Sequence, residues 1–186
     1  MDAAPLLSKK TLIYGEAGSG KTKLLAQMLA ELTKFIDKSE FTVVDLAPPR
    51  IGDVGGPLSD YLPTENMRYL RPHKIYAPRL MACNPEDLRR YVAHNVEEAR
   101  KCLQTYAATP TKLLAVNDAT IFLHGGDVSE LLAYAGMAQT FIATAYYGEK
   151  LSEDFGTGLS ASEKRKVEEL LKHVDVKVRL NSESNV

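Results

Sequence analysis

The chain has 186 residues, 45% of them hydrophobic and 25% charged, the balance of one soluble globular domain with a real core and little room for a second. Lys and Arg total 23 against 24 Asp and Glu, a net charge of −1, so no global field draws the chain to nucleic acid or to an anionic membrane. Cys83 and Cys102 are too few for a disulfide framework and wrongly spaced for a metal site, which points to a reducing, cytoplasmic setting.

The opening MDAAPLLSKK has no long apolar core, so no signal peptide is expected, and no apolar run approaches the roughly 20 residues that span a bilayer. TLIYG (11–15) is short and apolar and ends on glycine, as a buried strand does. In 21–38, Leu24, Leu25, Met28, Leu29, Leu32 and Phe35 form one helical stripe. FTVVDL (41–46) reads as a second strand. Residues 47–83 hold most of the prolines and no clean period, which predicts a long irregular insertion with at most short helices.

Asn84 is placed as an N-cap, with Pro85 at the first helical position and Glu86 and Asp87 in the first turn, opening a helix to about Ala108. KLLAVND (112–118) reads as a third strand, 128–137 as a helix and QTFIATAYY (139–147) as a fourth strand. SASE (160–163) reads as a capping box opening a helix to about His173, and VDVKVRL (174–180) as the last strand. The polar end NSESNV is expected to fray. Strands alternating with helices predict an α/β fold, a three-layer α/β/α sandwich with a mostly parallel five-stranded sheet, filling 1–186 as one domain. Ligands of such sheets bind at the carboxyl ends of the strands.

Between the first strand and the first helix lies Gly15-Glu16-Ala17-Gly18-Ser19-Gly20-Lys21-Thr22, which matches G-x-x-x-x-G-K-[ST] at every required position. Glycines allow φ values closed to other residues, so successive N–H groups can turn inward, and the helix that follows adds its positive end. The motif resembles the Walker A loop of P-loop NTPases. That resemblance implies nucleotide contacts from all eight residues, a Lys21 that reaches the β- and γ-phosphates, and a Thr22 hydroxyl on Mg²⁺.

It further implies an Asp at the end of a later strand beside the metal, a place that Asp118 of LLAVND takes. The Glu that often follows is Ala119 here. In the RecA and KaiC-like branch the water-orienting carboxylate ends the second strand, which makes Asp45 the candidate base or a second-sphere Mg²⁺ ligand, against a structural role in shaping the Ala47-Pro48-Pro49 turn, with Asp53 of DVGG as fallback. Thr144 and Tyr146 stand where a γ-phosphate sensor would. No N-K-x-D guanine-reading loop occurs, so ATP is favoured over GTP.

The insertion carries Arg50, Arg68, Arg71, Lys74 and Arg79 interleaved with Tyr61, Tyr69 and Tyr76. That composition suits a single-stranded nucleic acid, a lid over a substrate, a protein interface or a plain structural cover. Arg50 and Arg79 are the residues expected to reach phosphate. Gly148, Gly156 and Gly158 mark a second loop as mobile or tightly turned, with Asp154 a possible ligand or an ordinary solvated residue. Three functions follow from these residues. The first is a Mg²⁺-dependent ATPase driving a conformational change or partner binding, completed in many relatives by a neighbouring subunit, so that a homo-oligomer is plausible. The second is a small-molecule or nucleotide kinase. The third is a non-hydrolysing nucleotide switch.

Overall fold

The computed structural model describes residues 2–52 and 54–181. Asp53, the fallback base, and most of the tail expected to fray lie outside the described residues. Six strands form one all-parallel sheet: β1 (Lys10–Gly15), β2 (Phe41–Asp45), β3 (Arg68–Leu70), β4 (Leu113–Asn117), β5 (Thr140–Tyr146) and β6 (Val176–Leu180). Their spatial order is β3-β2-β4-β5-β1-β6. The expected sheet had five strands. The sixth, β3, is three residues inside the insertion, too short to show a period, and it forms by pairing with β2 from Thr42 to Val44.

Successive strand residues face opposite ways, and both faces are buried. Leu12, Val44, Leu114, Val116, Phe141 and Ala143 look into one core, and Ile13, Val43, Leu113, Ala115 and Ile142 into the other. Helix α1 (Lys21–Leu32) covers the second face. Five further helices are α2 (Pro78–Met81), α3 (Pro85–Ala108), α4 (Thr120–Leu123), α5 (Val128–Ala135) and α6 (Leu159–Leu171), and residues of α3 to α6 fill the first face. This is the three-layer arrangement. Helix α1 leaves β1 toward one face, while α6 leaves the adjacent β5 toward the other, so a crevice opens outside the carboxyl ends of these two strands.

Two helix boundaries differ from the sequence expectation. Helix α1 stops at Leu32, where Phe35 and Ile36 N–H groups both return to the Leu32 carbonyl, and Phe35 points outward at 51% exposure. Helix α6 opens at Leu159 with Gly158 at its N-cap (φ +78°), so Ser160 and Glu163 make no capping box. The Asp154 carboxylate takes that role, accepting from Ser160 N–H at 3.0 Å and Gly156 N–H at 3.1 Å. Asp154 is thus a turn residue. Helix α3 matches its expectation from Pro85 to Ala108, with the Asn84 side chain accepting from Asp87 N–H at 2.8 Å.

Candidate functional site

The loop between β1 and α1 is shaped by three glycines with different reasons. A Cβ on Gly15 would sit 1.9 Å from the Leu180 carbonyl oxygen, so this glycine serves the close approach of β1 to β6. Gly18 and Gly20 have φ of +74° and +85°, and a Cβ on Gly20 would meet nothing, so there the backbone angle itself demands glycine. Lys21 Nζ donates to the carbonyls of Gly15 at 3.0 Å and Glu16 at 2.6 Å, closing the loop on itself. Burial lowers the Lys21 pKa, against the opposing pull of Asp118, Glu16 and Glu163.

Glu16 joins this loop to the one after β5. Its carboxylate accepts from the N–H groups of Ala17 (2.8 Å), Glu149 (2.9 Å) and Lys150 (3.3 Å). Burial works to raise its pKa, but those N–H groups and the Tyr146 hydroxyl outweigh it and hold the carboxyl below its usual value. Gly148 leaves the room: a Cβ there would stand 2.4 Å from the Glu16 carboxylate.

The strand ends bring four further polar residues together. Asn117 ends β4, fully buried. Its oxygen accepts from the hydroxyls of Thr22 at 3.2 Å and Thr144 at 3.0 Å, and its nitrogen donates to Asp45 Oδ1 at 2.9 Å. Asp118 follows in the left-handed region (φ +58°), where its N–H donates to Thr144 Oγ1 at 2.7 Å. The half-buried carboxylate lies close enough to the 15–22 loop for Lys21 to act on it. Burial raises the Asp118 pKa, against the Thr120 hydroxyl and Lys21.

Asp45 has no exposed surface. Oδ1 accepts from Asn117 and from Ala47 N–H (3.2 Å), and Oδ2 accepts from Leu58 N–H (2.7 Å) and the Tyr69 hydroxyl, with Arg71 Nη1 3.2 Å away. Burial, with Asp45 next, pushes the Tyr69 phenol up to about 12. With four hydrogen bonds and an ion pair, the carboxylate has no lone pair left for an attacking water. Its environment is that of a brace for the insertion, which does not fit the expected role of base.

The cleft over the loop measures about 560 Å³ and is lined by residues 17–23, Asn117, Asp118, Thr144, Tyr146 and parts of the insertion. Among the described residues its charged lining is Lys21, Lys23, Arg50 and Lys150 against the single carboxylate Asp118. A chain of net charge −1 has gathered four cations around one acid. No three His, Cys, Asp or Glu side chains among the described residues group to hold a metal by themselves. The Thr22 hydroxyl and the Asp118 carboxylate are oxygen donors on that cleft, and this sparse set fits Mg²⁺, which keeps waters and binds chiefly through phosphates.

The arginines of the insertion are committed within the chain. Arg68 donates to the Thr105 and Thr109 carbonyls, and Arg71 to the Ala47 carbonyl. Arg50 donates to the Tyr61 hydroxyl at 2.8 Å and keeps its place on the cleft. Arg79 is held by α6: its guanidinium donates to both Glu163 oxygens at 2.9 Å, with only 6% of its side chain exposed. Glu163 also receives His124 Nε2 at 2.6 Å. Sequence reasoning missed Asn117, His124 and Glu163. A polar side chain ending a strand buried on both faces was the available signal for Asn117.

No family model matches this chain, and no curated protein does. Solved structures similar to it include the Pif1 helicase from Candida albicans, 13% identical, covering 94% of this chain and 36% of that one, with a TM-score of 0.37. The Hef helicase domain of Pyrococcus furiosus is 12% identical, covers 98% of this chain and 37% of the other, and has a TM-score of 0.45. This chain spans little more than a third of each. Among the described residues, no helix is long and apolar enough to cross a membrane.

Proposed function

We propose that residues 1–186 form one P-loop nucleotide-binding domain that binds ATP with Mg²⁺ and hydrolyses it, coupling turnover to movement of the insertion. One observation carries the reading: four cations and a glycine-shaped loop at a helix N-terminus line a cleft with one carboxylate. Polyphosphate is the ligand such a cleft favours. In this reading the backbone of residues 15–22 holds the phosphates, Lys21 leaves the loop carbonyls for the β- and γ-oxygens, and Thr22 and Asp118 hold the metal. Mg²⁺ supplies charge neutralisation at the transferring phosphoryl group. The absence of N-K-x-D favours adenine over guanine.

Asp45 keeps the position that a RecA or KaiC-like resemblance implies without the free carboxylate. Its assignment here is structural: it couples Asn117, which touches Thr22, to Leu58, Tyr69 and Arg71 of the insertion. A protein or single-stranded nucleic-acid partner of the insertion would meet its exposed residues, Ile51, Tyr61, Leu80 and Met81. The test is phosphate release by purified protein with MgATP and MgGTP, beside Lys21→Ala and Asp118→Asn. ATP turnover lost in both variants supports the reading. Turnover that survives Lys21→Ala refutes it.

A further inference from the structure

Beside the cleft lies a second cavity of about 60 Å³, and Asp118 and Tyr146 line both. At roughly 15 Å³ each, that space takes about four waters. Pro48, Pro78, Leu80 and Ile121 make much of its wall apolar, so few groups there can order a water.

His124 is one of them, with its side chain 3% exposed. Its Nε2 meets Glu163, whose two oxygens also accept from Arg79. A carboxylate so paired only accepts, so Nε2 carries a hydrogen and Nδ1 is the ring nitrogen left to meet another group. Nδ1 is buried and has no hydrogen-bond partner among the described residues. A buried polar atom left unpaired calls for a role, and ordered water is one way to fill it. The ring is held firmly. Lys166 Nζ donates to the Leu123 and Gly126 carbonyls at 2.9 and 2.7 Å, pinning the end of α4, and Arg79 fixes Glu163 from α2.

We infer that the small cavity holds the attacking water, and that His124 Nδ1 orients it while Glu163 and Arg79 position the ring. This rests on the hydrolysis reading above. The water oxygen bonds to the γ-phosphorus as the bond from phosphorus to the bridging oxygen breaks. The electron pair of that bond leaves with the diphosphate. One water proton stays on the new phosphate oxygen, and the other is released to solvent with the products. No carboxylate other than Asp118 and Glu163 lines this cavity among the described residues, and the first is assigned to the metal and the second to Arg79.

The test compares His124→Gln with His124→Asn. A Gln amide reaches the Nε2 position and keeps the contact with Glu163, but places nothing at Nδ1. An Asn amide places an oxygen near Nδ1 and gives up Glu163. The expected result is His124→Gln with an unchanged melting temperature and an unchanged KM for ATP, and kcat lower by at least about tenfold. His124→Asn should retain more kcat than His124→Gln despite a lower melting temperature. Wild-type kcat in His124→Gln overturns the inference and leaves the hydrolysis reading standing. So does a kcat order that follows melting temperature in the two variants. Wild-type protein that binds MgATP without turnover overturns both.

Discussion

Asp45 and Asn117 are joined by a 2.9 Å hydrogen bond inside the protein, where neither side chain has exposed surface. Asn117 also receives the Thr22 hydroxyl, so one amide stands between the 15–22 loop and the acid that braces the insertion. Asp45→Asn keeps the shape and removes the charge. It leaves Arg71 without its anion and turns an amide N–H₂ toward donors. We expect a loss of about 3 kcal/mol in stability by urea denaturation. An unchanged unfolding midpoint together with lost turnover would contradict the bracing role and restore Asp45 as base.

Arg79 and Glu163 form an ion pair whose side chains are 6% and 4% exposed. Removing one partner strands a buried charge. Arg79→Met should cost about 3–5 kcal/mol, because Glu163 then keeps only His124. Thermal unfolding is the readout. A cost below about 1 kcal/mol would mean that the pair is solvated and does not lock α2 to α6.

The two kinds of glycine in the loop give different expectations. Gly15→Ala drives a methyl into the Leu180 carbonyl and should cost about 3 kcal/mol or more, by forcing β1 and β6 apart. Gly20→Ala meets no atom and carries only the left-handed penalty of about 1–2 kcal/mol. Equilibrium unfolding of both variants checks the order, and equal costs would contradict it.

Glu16 carries a pH expectation. Its folded-state pKa lies below the ordinary value, so its stabilisation is complete above about pH 4.5 and is lost as pH falls through the folded value. Wild type should therefore lose more stability than Glu16→Gln on acidification below about pH 4.5. Parallel stability curves for the two proteins in that range would contradict it.

The parts of the fold that were legible in the sequence carry strong local signals: the glycine-rich turn from β1 into α1, the long α3 with its Asn84 cap, and strands of near-continuous apolar residues. The sixth strand was not legible, because three residues in a proline-rich segment show no period and β3 exists only through its pairing with β2. Glu163 sat in a Ser-x-x-Glu pattern that has a local explanation. The observed partners, Arg79 and His124, lie 84 and 39 residues away, a distance no local pattern reports. Asp45 was found as a chemically notable acid, but its function depends on donors from Leu58, Tyr69 and Arg71 that only the tertiary fold supplies.

The central claim is that this cleft holds the phosphates of a nucleotide. Calorimetric titration of ATP, ADP and AMP in Mg²⁺, on wild type and Lys21→Ala, tests it most directly. The account predicts affinity that falls from ATP to ADP to AMP in wild type, and a loss of at least about tenfold for ATP in Lys21→Ala, as expected for removal of one charged phosphate contact. Equal affinity for the three nucleotides, or ATP binding unchanged by Lys21→Ala, would contradict it.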